Sequence, residues 1–171
     1  MHLVIGGSRS GKTAHGLRLA ENTALEKWLI ATATASDPEM SDRIERHRQE
    51  REGSWFVIEE PYDLLQRLQE CATEKRVIVV DCLTLWLSNL MFKNDDVGAA
   101  VDKLCLFLDE TKHCIILISN EIGSGLVPEH GLGRAFRDAH GLMNQAIARS
   151  ATTATFVVAG LPLVLKDHSK G

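Results

Sequence analysis

Eight residues near the start of the chain have types and spacing suited to phosphate chemistry. Gly6-Gly7-Ser8-Arg9-Ser10-Gly11-Lys12-Thr13 fits the pattern G-x-x-x-x-G-K-[ST]. Gly6, Gly7 and Gly11 let the backbone turn tightly and bring its N–H groups against a phosphate chain. A helix N-terminus at the end of such a loop adds partial positive charge. Lys12 can reach the outer phosphates, and the Thr13 hydroxyl can ligate Mg²⁺. Two further groups could join this chemistry. Asp81 follows four β-branched residues, Val77 to Val80, as the metal-site acid of a phosphate-loop protein does. A capping role for that aspartate is the plainer alternative. His47 stands among Arg43, Arg46, Arg48 and Arg51, in a stretch where only Ile44 is apolar.

These residues require elements that hold them. Leu3-Val4-Ile5 reads as a buried strand, spanning about residues 2–5, that delivers the loop, and the run after Lys12 reads as a helix to about Asn22. Trp28 to Ala31 reads as a second strand, leaving Thr32-Ala33-Thr34 at its C-terminal end, where ligands sit in open α/β sheets. The threonines there either touch a nucleotide or simply fill the strand. Ser36 with Glu39 makes a capping box and Pro38 fits a first turn, so a helix is expected over residues 36–52. On it Met40, Ile44, His47 and Arg51 share a face, which would bring His47 and Arg51 to one ligand. A solvated helix laced with pairs such as Arg46/Glu50 is the bland alternative.

Further along, Trp55 to Ile58 is a third strand ending in Glu59-Glu60, and Pro61 opens a helix to about Cys71. After the Val77–Asp81 strand, the apolar run Cys82 to Leu90 is helical and lines a pocket or a subunit contact. Asp95 or Asp96 opens a helix to about Thr111, and His113 to Ile118 is another buried strand. Residues 122–133 carry glycines and Pro128 without hydrophobic period, the mark of a functional loop. Arg134 to Ala151 is a helix, Phe156 to Gly160 the last central strand, and Leu161 to Lys166 a short edge strand. Strands alternating with helices give a parallel α/β sheet.

Bulk properties narrow the class. The chain has 171 residues, 44% of them hydrophobic, which suits one domain with its own core. A net charge of -4 and a pI near 6.0 argue against nucleic acid as the main partner. Cys71, Cys82, Cys105 and Cys114 show no C-x-x-C spacing, so reduced cytoplasmic thiols are expected rather than zinc or a disulfide framework. The N-terminus runs straight into a strand, leaving no room for a signal peptide, and no apolar stretch approaches a membrane span. The histidines other than His47 (His2, His15, His113, His130, His140 and His168) fall at strand starts, helix surfaces or loops.

Five stretches beyond the phosphate loop specify more. They are Arg43 to Arg48 (RIERHR), Val80 to Trp86 (VDCLTLW), Asn120 to Pro128 (NEIGSGLVP), Gly133 to Asp138 (GRAFRD) and Val158 to Pro162 (VAGLP). With the loop, in this order and over nearly the whole chain, they resemble the bifunctional adenosylcobinamide kinase / adenosylcobinamide-phosphate guanylyltransferase family of cobalamin assembly. The resemblance implies a single-domain P-loop NTPase of the RecA-like α/β class over residues 1–171, with a mostly parallel central sheet flanked by helices. It implies a homotrimer acting on a corrinoid, and the cysteine pattern above fits a cytoplasmic setting. ATP or GTP would phosphorylate adenosylcobinamide, and GTP would then donate GMP to that phosphate through a GMP-histidine intermediate. By the R-I-x-x-H pattern the histidine is His47. The candidate nucleotide site comprises residues 6–13 with Thr32, Ala33, Thr34, Arg48, Arg51, Glu59 and Asp81, and the candidate Mg²⁺ ligands are Thr13 and Asp81. Thr13 departs from the serine frequent in the family, but either hydroxyl can ligate Mg²⁺. On the residues alone, a plain small-molecule kinase and a regulatory P-loop ATPase with a protein partner remain open.

Overall fold

A computed structural model describes residues 1–34 and 55–168. The helix expected over residues 36–52, with His47, Arg48 and Arg51, lies outside them.

The strands form from short aliphatic runs, buried on both faces at the centre of the sheet and largely exposed on its two edge strands. Among the described residues they are β1 (His2–Gly6), β2 (Glu26–Ala31), β3 (Trp55–Glu59), β4 (Arg76–Asp81), β5 (Cys114–Asn120), β6 (Thr153–Val158) and β7 (Leu161–Asp167). They pair in the order β3-β2-β4-β5-β1-β6-β7. Every pair is parallel except β6 with β7, which is an antiparallel hairpin. Val77 to Val80 of β4 and Ile115 to Ser119 of β5 are buried without a break, as central strands of a parallel sheet must be.

Five helices are described: α1 (Lys12–Glu21), α2 (Leu64–Cys71), α3 (Leu83–Lys93), α4 (Val97–Glu110) and α5 (Gly131–Ser150). Alternate strand residues point to opposite faces. Leu3, Ile78, Val80, Ile115 and Leu117 enter the larger apolar cluster with side chains of α2, α3, α4 and α5. Val4, Val77, Val79, Ile116 and Ile118 enter the smaller one with Ala20, Leu17 and Leu19 of α1. Gly16 allows α1 to lie flat there, because a Cβ would stand 2.9 Å from the Ile118 side chain.

The expected α/β architecture is therefore present, and several details differ from expectation. The helix after Pro61 begins at Leu64, because the Glu60 carboxylate accepts the N–H groups of Tyr62 and Asp63 at 3.1 and 3.0 Å and holds a turn first. The apolar helix α3 buries Leu83, Trp86, Leu87 and Leu90 in the core and leaves Phe92 exposed near its C-terminal end. Trp86 Nε1 donates to the Tyr62 carbonyl at 2.8 Å. Helix α5 starts at Gly131, three residues before the expected Arg134. Gly133 packs where a Cβ would be 2.8 Å from Pro128, and Arg134 turns back to donate to the carbonyls of Pro128 and Glu129. Strand β6 ends at Val158, because Ala159 and Gly160 have φ of 51° and 77° and make the two-residue hairpin turn.

Candidate functional site

All six parallel strands end on one edge of the sheet, and the phosphate loop lies on that edge between β1 and α1. Its shape follows from its glycines. A Cβ on Gly6 would lie 2.5 Å from the Val157 carbonyl oxygen, so only glycine lets β1 turn there. Gly11 precedes α1 with φ of 92°, a left-handed conformation that side chains resist. A Cβ there would also stand 3.2 Å from Gly160 Cα. The loop rests on the β6–β7 turn, where Gly160 N–H donates to the Ser10 carbonyl at 2.8 Å. Ser10 is buried, and its hydroxyl accepts the Lys12 N–H at 3.4 Å. Ser8 and Arg9 are exposed, with Arg9 at φ 54°. Lys12 Nζ donates to the Gly7 carbonyl at 3.1 Å, so the ammonium lies within the loop. Thr13 sits in the first turn of α1, whose leading N–H groups have no acceptor within the helix.

Asp81 ends β4 on the same edge, two strands from β1. Strand β5 lies between, with Asp81 level with Ile118 and Ile118 level with Val4. Two strand spacings put the Asp81 backbone about 10 Å from that of β1. A phosphate chain with a cation can bridge that gap.

Thr32 corrects an expectation. Its side chain is wholly buried and cannot meet a nucleotide. Its hydroxyl donates to the Cys82 carbonyl at 2.6 Å and accepts the Cys82 N–H at 2.9 Å. Thr32 therefore pins the chain just past Asp81. Asn89 of α3 pins Thr32 in turn, through its carbonyl at 2.8 Å. Ala33 and Thr34 are half-buried at the rim, and Glu59 is exposed at the end of β3, level with Ala31. Its neighbour Glu60 is structural: burial raises its carboxyl pKa, but the Asp63 and Tyr62 N–H groups and the Arg67 guanidinium outweigh that and hold it low.

The sequence reading missed a buried polar cluster behind this edge. His140, expected on a surface, is 1% exposed. Its Nε2 lies 3.0 Å from Thr84 Oγ1 and 3.4 Å from Ser119 Oγ. Thr84 Oγ1 also accepts the Asn120 N–H at 2.9 Å. Asn144 Nδ2 donates to the Asn120 carbonyl at 3.0 Å, and its Oδ1 accepts the Ser119 hydroxyl at 2.6 Å. Neutral His140 protonated on Nε2 satisfies this set, with Nδ1 facing Asn144 Nδ2 at a long 3.5 Å. Burial lowers the His140 pKa, outweighing the opposing charge of Glu121, so the neutral form is the stable one. The available signal was the spacing of His140 and Asn144, four residues apart on one helix face, below a strand ending in Ser119-Asn120.

Among the described residues no group of three or more His, Cys, Asp or Glu side chains could hold a metal ion. The four cysteines are free, and burial pushes the Cys82 thiol up to about 11. No described helix is long and apolar enough to cross a membrane.

The family model described as cobinamide kinase / cobinamide phosphate guanyltransferase matches residues 2–165. The bifunctional adenosylcobalamin biosynthesis protein CobP of Pseudomonas aeruginosa is 44% identical over 168 residues, covering 97% of each chain. The bifunctional adenosylcobalamin biosynthesis protein CobU of Escherichia coli is 33% identical over 181 residues, covering 97% of this chain and 99% of that one. Among solved structures, a Pyrococcus horikoshii OT3 protein superposes with a TM-score of 0.57 at 10% identity, covering 98% of this chain and 86% of its own. An ATPase of a bacterial type III secretion system also gives 0.57, at 9% identity, over 99% of this chain and 57% of its own. These two likenesses concern the fold.

Proposed function

The chain belongs to the cobinamide kinase / cobinamide phosphate guanyltransferase family, and from that premise we propose the reactions it catalyses. It phosphorylates adenosylcobinamide with ATP or GTP, then transfers GMP from GTP to adenosylcobinamide phosphate, giving adenosylcobinamide-GDP for cobalamin assembly. The observation that carries this reading is the span of the family match, residues 2–165, which takes in both the phosphate loop and His47.

In the first reaction the substrate hydroxyl attacks the γ-phosphorus. The bond to the bridging oxygen breaks, the nucleoside diphosphate leaves, and the hydroxyl proton is lost. The loop N–H groups and Lys12 hold the phosphates and meet the charge that develops on them. In the second, a nitrogen of His47 attacks the α-phosphorus of GTP and pyrophosphate departs. The corrinoid phosphate then attacks the same phosphorus, the P–N bond breaks, and His47 is restored. Arg48 and Arg51 bind the triphosphate and disfavour imidazolium, which keeps His47 nucleophilic. Ala33, Thr34 and Glu59 line the nucleotide end of the site.

Thr13 and Asp81 fit Mg²⁺ by the chemistry of their oxygen donors. Two protein ligands are few, which suits an ion that arrives with substrate phosphates and keeps waters. When bound, it neutralises charge on the departing pyrophosphate. The proposal includes a cytoplasmic homotrimer. Leu161, Leu163, Val164 and Leu165, all more than half exposed on the edge strand β7, are apolar surface that assembly would cover.

Incubation with α-labelled GTP and Mg²⁺ tests the second reaction. Label is expected on the protein, stable to base and lost in acid, with none from γ-labelled GTP. His47→Asn should abolish labelling and spare phosphorylation of adenosylcobinamide. A wild-type protein that phosphorylates adenosylcobinamide but never takes the α-label would be a plain kinase.

A further inference from the structure

The sheet ties Asp81 to the phosphate loop through β5, level with Ile118 and Val4, but the β4 ladder goes no further. Strands β1 and β4 do not pair with each other; within the sheet β5 bridges them, and α1 packs across to β4 from one face. On the β1 side, β5 is paired to its last residue: Asn120 lies level with Gly6, and the Glu121 N–H donates to the Gly6 carbonyl at 3.0 Å. On the β4 side the ladder stops at Asp81 and Ile118. Ser119 and Asn120 run on past it. There the Asn120 N–H is taken by the hydroxyl of Thr84, three residues beyond Asp81 in the first turn of α3, and the Asn120 carbonyl by the amide of Asn144. His140 touches both of those side chains and Ser119 as well. It joins three elements where no ladder does.

Resting on the nucleotide chemistry proposed above, we propose that His140 is a positioning residue. Through Thr84 and Asn120 it sets the separation between Asp81 and the phosphate loop, so that both act on one Mg²⁺–nucleotide. His140 touches no substrate. Its N–H holds the Thr84 hydroxyl in the orientation that accepts from Asn120. An apolar side chain of similar size would fill the space and leave that hydroxyl free to turn toward Ser119. The Asn120 N–H would then be a buried donor without an acceptor, and the end of β5 would shift to find one.

The test measures GTP affinity by calorimetry with and without Mg²⁺, and kcat for phosphorylation of adenosylcobinamide. His140→Leu is expected to keep Mg²⁺-free affinity within about twofold, to lose at least about fivefold of the affinity gained with Mg²⁺, and to lower kcat at least about tenfold, the scale of sub-ångström misplacement. His140→Gln returns an N–H near the Nε2 position and should recover to within about threefold of wild type on both readouts. Leu104→Ala, a buried core change outside this hydrogen-bonded cluster, should lower the melting temperature without either effect. Should His140→Leu fail to fold, Thr84→Val removes the same hydroxyl link and is read against the same expectations. Retention of the Mg²⁺ gain and of kcat within about twofold, or the same losses in Leu104→Ala, would overturn the proposal. The affinity readout needs no corrinoid. A wild type that binds Mg²⁺–GTP without phosphorylating adenosylcobinamide would sink the functional reading and leave His140 to be decided by binding alone.

Discussion

The phosphate loop and the polar cluster around His140 stand at the same edge of the sheet and are built by opposite means. The loop is eight consecutive residues, and its shape comes from backbone conformations that glycine permits. Its long-range support includes the Gly160 turn and the Glu121 N–H on the Gly6 carbonyl. The cluster is assembled from buried side chains of α3, β5 and α5, joined by hydrogen bonds that span up to 56 residues. Groups that hold phosphate must meet solvent and ligand, so they bring little tertiary bonding of their own. Groups that hold those groups in place must be satisfied by one another, because water does not reach them. Substitutions in the two regions should therefore read out differently.

The largest effect belongs to Lys12. Lys12→Ala should lower both half-reactions on the order of a hundredfold or more, about 3 kcal/mol of transition-state stabilisation, with little change in melting temperature. Turnover within a few-fold of wild type would erase the distinction between the regions.

Gly11→Ala should show both kinds of effect. A side chain at φ of 92° costs about 1–2 kcal/mol, and its Cβ presses on Gly160. Thermal melts should fall by several degrees, with nucleotide affinity falling alongside. A melt unchanged with affinity reduced would mean that the loop yields without involving the hairpin.

Ser119→Ala is the counterpart in the cluster. It leaves Asn144 Oδ1 without its 2.6 Å donor and should cost about 1 kcal/mol of stability. Chemical denaturation is the measurement, and Mg²⁺-free GTP affinity should stay unchanged.

The remaining effect is that of pH. Burial, with His15 and the N-terminal ammonium, lowers the His2 pKa to about 4 from an ordinary 6.5, against a smaller opposing contribution from Asp167. The folded chain holds that imidazole neutral while the unfolded chain binds a proton. Stability should therefore fall as pH drops from about 6.5 toward 4, and stay flat above that window. His140, lowered in the same direction, adds to the slope. His2→Gln should remove part of it. An unchanged slope would assign the whole effect to other groups, the cluster included.

What could be read from the sequence divides along the same line. The phosphate loop, the Val77–Asp81 strand and the edge strand at Leu161 are local patterns, and they lie where expected. Element starts that depend on a side chain folding back were displaced: Glu60 delays α2, and Arg134 accompanies an earlier start of α5. The roles of Thr32 and His140 were not legible, because their partners Cys82 and Thr84 are 50 and 56 residues away. A threonine at a strand end looks the same whether it faces a ligand or a neighbouring backbone, and pairing decides which. The face carrying His47 and Arg51 lies outside the described residues, and the labelling experiment addresses it directly.

The contact between Gly160 and Ser10 also limits how the chain can vary in length. Hairpin turns are ordinarily where residues are gained or lost at least cost, being exposed and remote from the core. Ala159-Gly160 is exposed too, but its N–H is the floor of the phosphate loop. One residue more would carry that N–H off the Ser10 carbonyl and bring a side chain toward Gly11. The turn therefore has no slack, and its length is as much a property of the nucleotide site as any residue within it.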